Sequence, residues 1–256
     1  MAYVGTLAWS RETGGRLSFR DRLTLTGLAA ASLWSDLPDL VSYRLGRKRC
    51  FPREIEVASL KVPDTAAARA AETLLTELTP PFMVNHSLRT YWFSRLIGMA
   101  TGTAFDDEVL YIASLTHDLG FYGRYANPTA ATECFTIRSA HAACDILNHA
   151  GWDLARRDRV AEAVTLNVNG HVPPELGAEA HLMVRGVLVD ATGLHAWRIH
   201  PSSVTAVFER LPLLDQREKL WPTFSAEADR HPQCRGHFAK RYLQFGLMVR
   251  LSPWNR

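Results

Sequence analysis

L-Y-I-A-S-L-T-H-D-L-G, Leu110 to Gly120, is the stretch whose reading decides the fold. It is apolar almost throughout, then sets His117 and Asp118 side by side and stops at a glycine. Upstream, the Asp106 side chain can cap Asp107, Glu108 and the apolar run that follows. Downstream, Gly120 sits where a helix commonly ends. The stretch therefore reads as a core helix with Val109, Ile112, Ala113 and Thr116 inward and a polar last turn. That ending is either an ordinary helix terminus or half of a site.

The same helical period runs through most of the chain. Asp64 is placed to cap a helix carrying Ala66, Ala70, Leu74 and Leu78, which Pro80-Pro81 stops. A second helix starts near Asn85 or His86, buries Leu88, Trp92, Leu96 and Met99, and ends before Gly102. After the Asp106–Gly120 helix come Thr136–Ala150, Arg157–Asn167 and Glu179–Ala191, the last closed by Gly193. Further helices are expected over Ser203–Arg210, Gln216–Asp229 with an interruption at Pro222, and Gly236–Leu251. No period-two strand longer than four residues is evident. The fold class is all-α: a single helical domain over residues 61–256. Residues 1–60 form an N-terminal extension packed on or beside the core, with one helix at Thr24–Trp34 ended by Ser35-Asp36-Leu37-Pro38.

A chain of 256 residues with 47% hydrophobic content can bury one large core. The net charge of +3 is far from that of an electrostatic nucleic-acid binder. The basic runs Arg44–Arg49 and Arg156-Arg157 read as solvated faces. Four cysteines with no C-x-x-C pair fit neither a zinc knuckle nor a disulfide framework and read as reduced thiols. With no signal segment and no long apolar run, the expectation is a cytoplasmic protein with no membrane or nucleic-acid partner. Self-association is left open.

Asp190 is the first chemical clue. Met183, Val187 and Asp190 fall at i, i+4 and i+7, so a carboxylate lies on an apolar helix stripe. A buried carboxylate must be paired, protonated or bound to a cation; a plain buried salt bridge would also satisfy it. His86 stands beside an apolar face near a helix start, where a capping or core histidine is the bland alternative. Together His86, His117, Asp118 and Asp190 make a possible first shell of two imidazoles and two carboxylates. Nitrogen and oxygen donors without thiolate suit one divalent ion: zinc, or iron, manganese, cobalt or nickel.

The ordered pattern H…HD…D, each piece on a helix, resembles the HD-domain superfamily of metal-dependent hydrolases. Asn85–Trp92 (NHSLRTYW), Asp106–Leu110, Thr116–Gly120 (THDLG) and Gly186–Gly193 (GVLVDATG) are similar to its cyanamide hydratase-like subgroup. So are Glu133-Cys134-Phe135, Phe208–Pro212 and Leu247–Pro253. The resemblance spans about residue 60 to the C-terminus. It implies an HD-type helical bundle in which His86, His117, Asp118 and Asp190 bind the metal. One departure stands out: many relatives carry a histidine in an A-I-x-x-H context where this chain has Asn167. An amide is a weak ligand and a poor proton shuttle.

What the resemblance implies chemically is hydration or hydrolysis of a small, nitrogen-rich substrate (nitrile, amide or amidine) by a metal-activated water. His117 and Asp118 are the catalytic candidates, Asp118 as the group that orients or deprotonates the water. Asn85, Asn167 and Asn169 are the substrate-binding candidates. A phosphohydrolase is the rival, with Arg89, Arg124, Arg138 and Arg185 as available cations. A di-iron oxygenase would draw on His141, His149, His171 or His181, and a second ion is left open although Asn167 weighs against it. A binding module with a structural metal is the non-enzymatic alternative.

Overall fold

The computed structural model describes residues 2–48, 50–126 and 133–255. Arg49, the end of one basic run, lies outside them. Among the described residues all regular elements are helical, and the sole β-type pairing is an isolated bridge between Arg16 and Cys234. In chain order the helices are α1 (Leu7–Thr13), α2 (Phe19–Arg44), α3 (Ala66–Leu78), α4 (Pro81–Thr101) and α5 (Asp107–Thr116). Then follow α6 (Gly123–Ala126), α7 (Phe135–His149), α8 (Leu154–Thr165) and α9 (Ala178–Thr192). The chain finishes with α10 (Pro201–Arg210), α11 (Gln216–Arg230), α12 (Arg235–Tyr242) and α13 (Phe245–Arg250). The all-α reading holds, and no described helix is long and apolar enough to cross a membrane. All four cysteines are free thiols.

At the centre lies α5, buried from Val109 to Thr116 and packed against α3, α4, α8 and α9. Asp106 caps it as the sequence suggests, accepting from the N–H groups of Glu108 and Val109. The cap is itself held: Arg156 on α8 donates to both Asp106 oxygens and to Glu108, and Glu179 on α9 accepts from the Asp106 N–H at 2.7 Å. Arg156 is thus no free solvated cation but a clamp on the start of α5.

The most extensive helix pair is α4 against α9. Gly186 makes it possible. A Cβ there would lie 2.1 Å from Ser94 Oγ and 2.4 Å from the Thr90 carbonyl oxygen, so only glycine lets the two backbones approach this closely.

Several helix boundaries differ from the sequence reading, each for a local reason. Helix α4 starts at Pro81, with proline at its first position where no N–H is required, so His86 stands in its second turn. Helix α5 stops at Thr116; His117 caps it, and Asp118 leads into a short 3-10 turn, Leu119–Phe121. Gly120 is not a left-handed terminator. It is needed because a Cβ would fall 2.1 Å from the Phe135 carbonyl oxygen. Helix α2 does not end at Pro38 but runs through it to Arg44, on a solvent-exposed side where the carbonyl freed by proline meets water. It begins in a Ser18–Asp21 capping box. Likewise α11 continues through Pro222. The expected last helix is broken into α12 and α13 by Gln244 in the left-handed region, φ 54°.

The first part of the extension packs against the C-terminal helices, while much of α2 stays exposed. Val4, Trp9, Leu17 and Leu25 form one buried cluster with Phe238, and the Leu7 N–H donates to Glu162 on α8 at 2.5 Å. Substituting Gly186→Val should force α4 and α9 apart. It should lower stability by about 1–3 kcal/mol, read in equilibrium denaturation as a lower urea midpoint at unchanged m-value.

Candidate metal centre

Three of the four expected ligands converge. His86 on α4, His117 at the end of α5 and Asp118 directly after it each offer one donor atom, all within 4.8 Å of one another and all buried. Asp118 Oδ2 is 3.6 Å from His86 Nε2 and 3.2 Å from His117 Nε2. Among the described residues no other group of three histidine, cysteine, aspartate or glutamate side chains is close enough to hold an ion.

The other ring nitrogen of each histidine sets its tautomer. His117 Nδ1 donates to the Ser114 carbonyl at 2.7 Å, within the last turn of α5. His86 Nδ1 donates to Asp190 Oδ2 at 2.5 Å. A carbonyl and a carboxylate only accept, so both Nδ1 atoms carry a hydrogen and both Nε2 atoms are left to face Asp118. These three atoms face each other out of water, and His117 Nε2 has no hydrogen-bond partner among the described residues. Such a group must carry either a proton on His86 Nε2 or a cation in its place. The electrostatics express the same demand. Burial works against a charged His86, yet hydrogen bonds to Asp118 and Asp190, with their charges, lift its pKa to about 9. Burial would raise Asp118, but His117 and His86 hold it well below the usual carboxylate range. The orphaned nitrogen and the oxygen–nitrogen donor set fit a borderline divalent ion.

Asp190 stands elsewhere than the sequence expectation put it. Its Oδ1 accepts from Arg89 Nε at 2.5 Å; its Oδ2 accepts from His86 Nδ1, from Gln216 Nε2 at 2.8 Å and from Arg89 Nη2 at 3.3 Å. The carboxylate lies behind His86, outside the group of three. The reason is Arg89, three residues after His86 on the same face of α4, which competes for that carboxylate. Burial alone would raise the Asp190 pKa, and Arg89 and His86 reverse this and hold it well below the usual range. Arg89 is itself fully buried and donates to the Leu211 and Pro212 carbonyls at 2.9 and 3.0 Å, and also to Gln216 Oε1.

The three asparagines separate. Asn167, just after α8, donates from Nδ2 to Asp118 Oδ1 at 3.2 Å, while its buried Oδ1 has no hydrogen-bond partner among the described residues. Asn85 instead donates to the Pro212 carbonyl at 2.8 Å, away from the cluster. Asn169 ties the N-terminal segment down, donating to the Val4 carbonyl and accepting from Arg235, both at 2.7 Å. Both are thus engaged structurally. His141 and His149 are exposed on α7, and His181 donates from Nδ1 to the Val172 carbonyl at 2.6 Å.

Arg89 and Gln216 are partners beyond the sequence expectation, and the one signal for Arg89 is its place as the cation one turn from His86. Gln216 carries no such signal. Burial first, and then the Asp118 charge, push the Tyr122 pKa up to about 12.

No protein-family model matches the chain, and no curated protein matches it.

Replacing Arg89 by Met would leave Asp190 as a buried charge with weakened support. The expected loss is about 3–5 kcal/mol in denaturant-monitored stability. The double variant Arg89→Met/Asp190→Asn should recover part of that loss.

Proposed function

We propose that the chain is an HD-type metal-dependent hydratase or hydrolase acting on a small, nitrogen-rich substrate of nitrile, amide or amidine type. The observation that supports this reading is the meeting of His86 Nε2, His117 Nε2 and Asp118 Oδ2 in one enclosed group, with His117 Nε2 left without a hydrogen-bond partner among the described residues. These three residues would hold one divalent ion, zinc leading among the metals that suit such donors, which when bound supplies Lewis acidity and lowers the pKa of a coordinated water towards about 7.

The chain's own residues divide the remaining tasks. Asp190 fixes the tautomer and ring orientation of His86 from behind, as an outer carboxylate does for a ligating histidine. The Ser114 carbonyl does the same for His117. Asp118, held well below the usual carboxylate range, is a weak base; its role is to accept a hydrogen bond from water and so orient it. Asn167 steadies the far oxygen of Asp118 and keeps its own carbonyl oxygen free to accept from a substrate N–H.

Phosphate hydrolysis receives less support. It calls for free cations near the cluster, whereas Arg89 is bound to Asp190 and Arg138 to Glu227. Arg124 lies over the ring of Tyr125. Arg185 is on the other side of α9. The oxygenase reading lacks a second donor group among the described residues.

The test is turnover of cyanamide, small nitriles and amidines by metal-loaded protein, followed by product release, with phosphate esters alongside. Expected is activity within the nitrogenous set and its loss in His117→Ala. Activity confined to phosphate esters would contradict the reading. In a metal titration, His117→Ala should abolish tight binding, and Asp190→Asn should weaken it by about 10–100-fold.

A further inference from the structure

We propose that α2 is the interface of a two-fold dimer, in which its outward apolar stripe packs antiparallel against the same stripe of a second copy of this chain. The inference stands apart from the function proposed above.

Helix α2 is fastened to the body at a few points. Leu25 enters the cluster of Val4, Trp9, Leu17 and Phe238. Asp36 accepts from Arg198 Nη2 at 2.9 Å, and Arg44 donates to the Thr192 and Leu251 carbonyls at 3.1 and 2.8 Å. The side turned away from these anchors carries Phe19, Leu23, Leu33, Trp34, Leu37 and Val41, all exposed, with Phe19 at 76% and Trp34 at 79%. At ~100° per residue the six fall within an arc of about 100°, and Leu25 and Asp36 point about 110–130° from its centre. An amphipathic helix normally turns its apolar stripe to the core, and α2 turns it to the outside.

The size of the stripe is that of an interface. The exposed parts of these six side chains amount to on the order of 600–700 Å² of apolar surface, at ~150–250 Å² for a whole aromatic side chain. The largest apolar patch of an ordinary monomer is ~300–600 Å², and each partner of a standard interface buries ~800 Å². Thr26, Gly27 and Ala30, also exposed, lie between the large residues and add to the area.

The spacing says what covers it. Phe19, Leu23, Thr26, Ala30, Leu33 and Leu37 stand at i, i+4, i+7, i+11, i+14 and i+18, the alternation of four and three with which one helix meets another along its length. The series is the same read from either end. An antiparallel copy therefore sets Phe19 opposite Leu37, Leu23 opposite Leu33 and Thr26 opposite Ala30, each pair twice. The small residues fall at the two-fold axis, where they let the backbones approach, and the large ones close the interface on both sides. A parallel pair would instead set Arg20 and Arg22, which flank the stripe, against their own copies. A membrane surface fits less well. Helices that lie on a bilayer carry a polar face rich in Lys and Arg, whereas α2 balances Arg20, Arg22 and Arg44 against Asp21, Asp36 and Asp39 and has no lysine.

The test is sedimentation equilibrium of the full chain at micromolar concentration, for the wild type and for Trp34→Glu/Leu37→Glu, with helix content followed by circular dichroism. Expected is twice the chain mass for the wild type, and for the variant unchanged helix content with association weakened by at least about tenfold. A second measurement is independent of that variant. In a Cys50→Ser background, which removes the exposed native thiol, Leu23→Cys and Leu33→Cys proteins are oxidised separately and as a mixture. Expected is a cross-linked pair in the mixture and none in either separate sample. A single-chain mass for the wild type would overturn the proposal, as would a dimer unweakened in the folded glutamate variant, or a mixture that does not cross-link. So would a monomer that instead co-sediments with anionic phospholipid vesicles.

Discussion

The carboxylate of Asp190 is the constraint on which the centre of the molecule depends. It is fully enclosed and ionised, and its two oxygens take hydrogen bonds from Arg89 and His86 of α4 and from Gln216 at the start of α11. Removing a charge from water costs several kcal/mol, and only a complete set of donors offsets it. The set is complete here only if α4, α9 and α11 meet in one arrangement. Gly186, one turn before Asp190, lets α4 and α9 approach closely enough for that to happen. Arg89 then carries the constraint outward to the carbonyls of Leu211 and Pro212, so the connection between α10 and α11 is fixed by the same charge.

The chemistry of the site follows from this packing. Because Asp190 takes the Nδ1 hydrogen of His86, Nε2 is the nitrogen left to face Asp118, with a proton or a cation between them. His117 is forced into the same state by the last carbonyls of its own helix. Two imidazole Nε2 atoms and a carboxylate then converge in a buried place. A fold stabilised by burying apolar helices has thereby built a place that a cation would stabilise. Its strength as a metal site would come from the outer hydrogen bonds as much as from the three donors.

Much of the architecture was legible because helical periodicity and capping are local. The cap at Asp106 and the terminator at Gly193 are set within a few residues, and both stand where the sequence put them. Boundaries that depend on neighbours were not legible. Pro38 and Pro222 stop a helix only if the carbonyl they free cannot be solvated or re-bonded, and Gly120 reads as a terminator until the Phe135 carbonyl beside it is seen. The site followed the same division. The pair His117-Asp118 announces itself by adjacency, and Asp190 by its place on an apolar stripe. Which side of His86 that carboxylate occupies was decided by Arg89, whose tertiary role no spacing reveals. Asn85 and Asn169 stand out in the sequence by residue type alone, and each is engaged by a distant backbone carbonyl.

The central claim is that three residues face the ion position while Asp190 supports His86 from outside. A crystal of metal-loaded protein, with anomalous scattering recorded across the absorption edge of that metal, tests this most directly. The account predicts one anomalous peak bound by His86 Nε2, His117 Nε2 and Asp118, with Asp190 still on Arg89 and His86 Nδ1. A peak elsewhere, no peak, or Asp190 turned from Arg89 to ligate the ion would contradict it.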